Sequence, residues 1–379
     1  MLSVGDTTYL DYGAILAKTE GYGPQGKGGN GLLLHSAMAV GPEEGQPLGL
    51  LWQKMWNRQH RAKPPIDETP AQKKKRQAEA RKASRARAFT DKESYRWVEA
   101  MTTLEKTVAS STRVVHIFDR EGDIAEVFEQ METLTHTGVV VRAAHDRSLK
   151  DDPHRLWEKL EAEPIEDYYE IELSKTKKRQ ARRAKIAVRF CPVQLRPPAR
   201  LGTDKQLQVY AVYADEVDCP EGEEAVSWML LTSETVTSAE RARKIVRWYS
   251  YRWRVEEYHK LLKSGCQAER YRLAADGMKA LLGFLSVIAV DLLRLTYLQR
   301  TQPQMPATAV LNSVQIQVLK AKSSQLPTTL TVAWAIEAIA RLGGYLEHRR
   351  KTPIGIQVLW RGLAKLQDLA EGWQLANQT

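Results

Sequence analysis

Tyr249-Ser250-Tyr251-Arg252-Trp253-Arg254-Val255-Glu256-Glu257-Tyr258-His259-Lys260-Leu261-Leu262-Lys263 decides the fold, because two stripes of different chemistry run through it at helical spacing. Trp248, Tyr251, Val255, Tyr258 and Leu262 recur at steps of three and four and predict a buried face. One residue on, about 100° around the helix, Tyr249, Arg252, Glu256, Lys260 and Lys263 form a second line, cationic with one carboxylate in it. Ser238 is a candidate N-cap, Glu240 follows in the first turn, and Lys263 with Gly265 closes the run. No proline interrupts it, so the spacing predicts one continuous helix from Ser238 to about Gly265. The second stripe has two readings: a solvated face held by Arg252/Glu256 and Glu256/Lys260 pairs, or a metal-binding carboxylate beside cations that grip phosphodiesters.

The rest of the chain favours a large soluble domain with a polyanionic partner. At 379 residues it can form one large or two moderate domains, and its net charge of +10 points to nucleic acid without separating DNA from RNA or a membrane surface. The cysteines Cys191, Cys219 and Cys266 are far apart and odd in number, which excludes a C-x-x-C zinc site and a disulfide framework and fits a reduced, intracellular setting. The first eight residues lack a charged segment followed by an apolar core, so no secretory signal is read there. Ala280 to Val290, bracketed by Lys279, Asp291 and Arg294, reads as a buried helix too short to span a bilayer.

Taken in order, Leu2 to Thr8 predicts a strand carrying Asp6, and Gly31–Val40 and Pro47–Trp56 predict a hairpin, together an antiparallel meander. His60 to Arg87 turns to Lys, Arg, Ala and Gln, either a solvated, partly disordered linker or a basic arm for DNA phosphates. A helix follows from Asp91. Arg113-Val-Val-His-Ile-Phe-Asp119 is an apolar run typical of a buried strand, Arg120-Glu-Gly-Asp-Ile-Ala opens the next helix, and Gly138–Arg142 is another buried strand, an α/β alternation. From Leu149 to Glu234 the pattern changes to strands (168–173, 185–190, 206–213, 227–232) with a basic hairpin tip at 175–183. Mainly helical sequence follows, including Thr331–Leu342 ending at Gly343-Gly344.

Two aspartates on apolar strands and a glutamate on the helix suit phosphodiester cleavage. That chemistry needs charge neutralisation and an activated water, which two divalent cations about 3.5–4 Å apart supply. Mg²⁺ takes oxygen ligands and few of them from protein, so Asp6, Asp119 and Glu256 suffice. A lone aspartate at a strand end is commonly a turn or helix cap. Asp11, Asp123 and Glu257 compete; Glu257 lies a further 100° or so round from the cationic stripe, and Asp123 reads as an early-helix residue favoured by the dipole.

These motifs resemble the bacterial insertion-sequence transposases of the IS-four family, which includes the Tn-five transposase. Tyr249, Arg252, Glu256 and Lys263 fill that family's tyrosine, arginine, glutamate and lysine pattern. Gly5-Asp6-Thr-Thr and Phe118-Asp119-Arg-Glu-Gly-Asp-Ile124 match its two aspartate motifs, and the similarity extends through Ser227-Trp-Met-Leu-Leu-Thr-Ser-Glu234 and Ala338-Ile-Ala-Arg-Leu-Gly-Gly-Tyr345. The resemblance implies an RNase H-like α/β core (1–148, with a basic linker about 60–90, and 235–300), a β-rich insertion at 149–234 and a helical, dimerising region at 301–379. It also implies a cut-and-paste transposase in the bacterial cytoplasm and nucleoid, using Mg²⁺ or Mn²⁺ held by Asp6, Asp119 and Glu256. DNA, as transposon ends and target, would be the partner, with a homodimer in the synaptic complex and no membrane. Tyr249, Arg252, Lys260 and Lys263 would hold phosphates. Trp228, otherwise a core tryptophan, would accept a base flipped out near the transposon end, stacking offsetting part of the unstacking cost; Arg142 is a further candidate for the phosphates. The resemblance further implies an N-terminal end-recognition domain before the first acidic residue; this sequence starts only a few residues before Asp6, as expected of a fragment, a product with a misplaced start or a natural truncation. That leaves open a truncated, noncatalytic regulator of full-length transposase, and a general RNase H-like nuclease.

Overall fold

The computed structural model describes residues 1–377 apart from 14–19, 26–28, 61–64, 66, 151, 174–179, 203 and 347–353. Ten strands form one mixed sheet in the order β2-β3-β1-β5-β6-β10-β9-β8-β7, with β4 pairing β3 at the first edge. The strands are β1 Leu2–Asp11, β2 Gly23–Pro24, β3 Asn30–Val40, β4 Pro47–Trp56, β5 Val114–Phe118, β6 Thr137–Arg142, β7 Asp167–Leu173, β8 Arg182–Leu195, β9 Leu207–Val217 and β10 Ser227–Thr232. β1, β3 and β4 are antiparallel neighbours, whereas β1, β5 and β6 run parallel. The central strands are buried on both faces, which is why β5 reads Val-Val-His-Ile-Phe without alternation.

Side-chain parity sorts the two layers that cover the sheet. Leu2, Val4, Val115, Ile117 and Val140 face α5 (Ala239–Ser250), α6 (Trp253–Lys260) and α7 (Ala275–Thr301). Phe118, Val139 and Val141 face α2 (Tyr95–Thr107), α3 (Ala125–Met131) and α4 (Leu156–Ala162). On α2, Trp97, Met101 and Leu104 supply the buried stripe at steps of four and three. Helices α8 (Ser313–Lys322), α9 (Val332–Leu342) and α10 (Ile356–Ala376) pack together, with α9 and α10 also against α7. The strands of 149–234 do not form a separate sheet: β10 pairs antiparallel with β6 and carries β9, β8 and β7 outward from it.

Three expectations are corrected. The helix expected to run unbroken from Ser238 is divided at Tyr251-Arg252, where 3₁₀-type bonds (Tyr251 N–H to Trp248 O, Arg252 N–H to Tyr249 O) tighten the turn, and it ends in a π-turn at Leu261–Gly265. The division sits where side chains reach the β3–β4 turn: Trp248 Nε1 donates to Pro42 O (3.1 Å), Tyr251 Oη to Glu43 O (2.6 Å) and Arg254 Nε to Gly45 O (3.0 Å). Gly45, at φ +68°, leaves room for the Tyr251 ring, which a Cβ would meet at 2.5 Å.

The supposed linker contains α1, Pro70–Ala86, with proline in its first turn and a Thr69/Gln72 capping box; none of its residues is buried. Its Ala, Lys, Arg, Gln and Glu are strong helix formers, so composition that reads as unstructured solvated chain also suits a free-standing helix. The apolar run at Ala280–Val290 is part of the 27-residue α7, long and apolar enough by composition to cross a membrane, yet Leu282, Leu285, Ala289, Leu292 and Leu293 are buried in the core. The predicted hairpin tip at 175–183 lies mostly outside the described residues.

Helices α9 and α10 approach through glycine: a Cβ on Gly362 would stand 1.9 Å from Ile339 O, whereas one on Gly372, later in α10, meets nothing within 4 Å. Gly372→Ala is therefore expected to stabilise the protein by about 0.5–1 kcal/mol through helix propensity, and Gly362→Ala to destabilise it by ~2 kcal/mol or more by forcing the helices apart. Thermal unfolding of both variants checks this; equal shifts would refute the close crossing.

Candidate active site

The parallel ladder between β1 and β5 sets the site. Val4 pairs in register with Ile117, and Asp6 and Asp119 each lie two residues further along. Both aspartates thus share the parity of Val4 and Ile117 and face the side covered by α5 and α6, and α6 packs against β1 and β3. Backbone N–H groups hold both carboxylates: Thr7 donates to Asp6 Oδ1 (2.8 Å) and Glu121 to Asp119 Oδ1 (2.9 Å). Asp119 serves at the same time as the cap of the 3₁₀ turn Arg120–Gly122.

Glu256, in the first turn of α6, is paired with Arg252 at 2.5 Å, one of the two pairings that the spacing allows. Arg252 is largely buried, and its charge reaches Asp6 as well as Glu256. Tyr249 is buried edge-on against Trp228, ring centres 5.1 Å apart, and feels Arg252, Arg142 and Asp119. Arg142 Nη2 donates to Ser227 O (3.0 Å), beside Trp228. Trp228 and Arg142 line a cavity of about 1460 Å³ between α5 and strands β7–β10, with Tyr169, Arg243, Lys244 and Arg247 also on its wall.

The two remaining cations lie elsewhere. Lys263 Nζ donates to Tyr9 O (2.7 Å) and pairs with Glu269 (3.1 Å), and Lys260 is exposed. The competing acids have other partners. Glu257 pairs with Arg254 (2.8 Å) and Arg300 (3.3 Å), and Asp11 Oδ1 accepts from Gly13 N–H (2.8 Å). Asp123 departs from its expected place in an early helical turn: it is buried before α3, accepting from Arg147 and from the Ala144 and His145 N–H groups, where it pins the loop after β6.

Sequence reasoning missed three buried histidines around this centre. His259 Nδ1 lies 3.8 Å from Asp6 and its Nε2 is 3.3 Å from Ser36 Oγ; burial, reinforced by Lys263, pushes its pKa down to about 3, so it is neutral. His35 bonds Thr7 Oγ1 (2.8 Å), and burial holds it well below the usual imidazole range. His116, fully buried on β5, is pushed down to about 3 by the same desolvation. Only His259 had a signal, its position one helical turn after Glu256.

Asp6 carries the electrostatic signature of the site. Burial and then the charge of Asp119 raise its pKa to about 7, against the Thr7 N–H and Arg252, which lower it, and a smaller upward push from Glu256. Among the described residues, no three His, Cys, Asp or Glu side chains are drawn close enough to hold a metal ion. The donor set still fits a hard divalent cation: all its atoms are carboxylate oxygens, and Asp6 and Asp119 repel each other beyond what Arg252 offsets.

Residues 66–289, more than half of the chain, match the transposase DDE domain, and the chain belongs to that family. The matched span contains Asp119 and Glu256, and Asp6 precedes it. Transposase activity on DNA, with the divalent metal that DDE transposases generally use, follows at the level of the family.

Because the folded-state pKa of Asp6 is raised, native protein binds more protons than unfolded chain between about pH 4 and about 7, and stability falls as pH rises through that window. Asp6→Asn removes the penalty. In metal-free buffer it should match wild type near pH 4 and exceed it at pH 8, by at most on the order of 4 kcal/mol. Urea unfolding at both pH values measures this, and a constant gap would show that Asp6 titrates as an ordinary carboxylate.

Proposed function

We propose that this chain is a cut-and-paste DNA transposase of the IS-four type, with Asp6, Asp119 and Glu256 as its catalytic and metal-holding acids. The observation that carries the reading is the register of β1 beside β5, which directs two aspartates to one face, where α6 brings a glutamate. The strand order β4-β3-β1-β5-β6, antiparallel then parallel, supports an RNase H-like core over 1–148 and 235–300, with 149–234 as its β-rich insertion and 301–379 as a helical dimerisation region.

Asp6 and Asp119, with Glu256 once released from Arg252, would hold Mg²⁺, or Mn²⁺ in its place. Bound there, the metal would supply Lewis acidity to the phosphoryl oxygens and lower the pKa of a water. The chain's own residues do the rest. Arg252, with Tyr249 beside it, would carry a substrate phosphate near the acids; a guanidinium suits that task because its fork matches two phosphate oxygens. Arg142 and Trp228 would hold the transposon end in the cavity between α5 and β7–β10, Trp228 by stacking on a displaced base. Trp228 lines that cavity and meets the Tyr249 ring at 72°.

Lys260 and Lys263 would steer more distant phosphates, Lys263 after exchanging Glu269. The helix α1, with Lys73-Lys-Lys-Arg76, Arg81, Lys82 and Arg85, opposed by Glu79 within the helix and by Glu68, which pairs with Arg76 at 2.6 Å, would act as a nonspecific phosphate contact. Exposed apolar residues on α10, Trp373 and Leu375, suit the pairing of two copies in a synaptic complex. The protein would act on nucleoid DNA in the bacterial cytoplasm.

Glu256→Gln is expected to abolish Mg²⁺-dependent nicking of transposon-end DNA while DNA affinity stays within about twofold of wild type; retained cleavage would remove Glu256 from the mechanism. The same assay separates the alternatives. A noncatalytic regulator nicks nothing and inhibits an intact transposase, whereas a general nuclease cuts without end sequence and joins no strands. Lys260→Ala should lower the slope of log affinity against log salt by about one, and an unchanged slope would take Lys260 off the phosphate path.

A further inference from the structure

The backbone ladder that aligns the two aspartates stops before it reaches them. β1 and β5 pair at Leu2/Val115, Ser3/His116 and Val4/Ile117, and the pairing goes no further. Something else must keep the strands at a fixed separation at Asp6 and Asp119. On the opposite face of the sheet, α2 places Arg96, 8% exposed, across that gap.

Its three nitrogens are all engaged. Nε donates to Thr7 Oγ1 (2.8 Å), Nη1 to Glu93 O (2.8 Å), and Nη2 to the Glu121 carboxylate. The cation also lies over the Trp97 ring, 5.0 Å from its centre. An arginine N–H can only donate, so the Thr7 hydroxyl accepts from it and keeps its own proton for His35 Nδ1 at 2.8 Å.

The two ends of this cross-tie are the residues whose backbone N–H groups hold the acids: Thr7 donates to Asp6 and Glu121 to Asp119. A continuous path therefore runs from the Asp6 carboxylate through Thr7, Arg96 and Glu121 to the Asp119 carboxylate. Its only charged members on the far face are Arg96 and Glu121, which neutralise each other.

We propose that Arg96 is a positioning residue that sets the distance and orientation of Asp6 relative to Asp119, and hence the affinity of that pair for a divalent cation. It touches neither acid and is not a catalytic residue. The proposal rests on the reading of Asp6 and Asp119 as a metal-holding pair. Lysine cannot replace it, since one ammonium at the end of a flexible stem cannot reach Thr7, Glu93 O and Glu121 together. Groups that hydrogen-bond a metal ligand directly are worth about 10–100-fold in affinity in general, and Arg96 holds both residues that do so here, Thr7 and Glu121.

The test is Mn²⁺ binding to the full chain without DNA, followed by the paramagnetic resonance of free Mn²⁺, beside duplex DNA binding in EDTA. Arg96→Gln and Arg96→Lys are expected to weaken Mn²⁺ binding about tenfold or more, with DNA affinity unchanged. Glu121→Gln should do the same from the other end of the path, and its side chain, 57% exposed, makes that variant safe to fold if Arg96→Gln is not. A merely structural role would lower the unfolding temperature and leave Mn²⁺ affinity in the folded protein intact, and that result would overturn the proposal. Asp6→Asn and Asp119→Asn distinguish the two levels of failure. If they lose Mn²⁺ binding while the Arg96 and Glu121 variants keep it, the positioning role alone is wrong. If they too bind Mn²⁺ as wild type does, the acid pair itself is wrong and the role of Arg96 falls with it.

Discussion

Three residue pairs between β1 and β5 bear the alignment of the candidate site. Because side chains alternate along a strand, a slip of one residue in that short parallel ladder would send Asp6 to the face of Trp97 and Phe118 and leave Asp119 where it is. Apolar burial opposes such a slip: Leu2 and Val4 on β1 and Val115 and Ile117 on β5 are 4% exposed or less, all in the core that α5 and α6 cover. The hydrophobic pattern of two strands, more than any polar contact, holds the carboxylates to one side of the sheet.

On that side the helix bearing Glu256 is fixed from its own start. Trp248, Tyr251 and Arg254 donate to three carbonyls of the β3–β4 turn, and Tyr297 of α7 donates to a fourth, Glu44 O, at 2.8 Å. Deeper in, Gln53 of β4 donates to Tyr258 Oη (2.8 Å), tying α6 to the same hairpin. The hairpin is the far edge of the sheet, so the position of α6 over β1 is set by strands beyond it. Charge then orders the surface of the site. Two carboxylates repel each other in a partly desolvated place, one arginine offsets part of that repulsion, and the neutral His35 and His259 add no counter-charge.

The strands of the core were legible because buried parallel strands appear as unbroken apolar runs, as at Val114–Phe118 and Thr137–Arg142, and the turns between them announce themselves by polarity. The parity of Asp6 with Val4 and of Asp119 with Ile117 is also visible in the chain; that the two strands are neighbours is not, since pairing across more than a hundred residues leaves no local mark. The same limit hides the joining of β10 to β6, by which the strands of 149–234 extend the one sheet. The break at Tyr251 was invisible for a different reason. Nothing in Tyr-Arg-Trp disfavours helix, and the tightened turn lies where the β3–β4 carbonyls meet the helix in three dimensions. Arg96 reads as an ordinary polar position on an amphipathic helix until the residues across the sheet are known.

The seventeen residues of α1 stand outside all of this, with no side chain in the core. Lengthening, shortening or replacing α1 itself would take no side chain out of the core, and the entropy of closing a longer loop rises only by about 0.6 kcal/mol per doubling. That segment is the place where a foreign sequence, a fluorophore-bearing peptide or a second binding module could be spliced into the chain with the least disturbance to its interior.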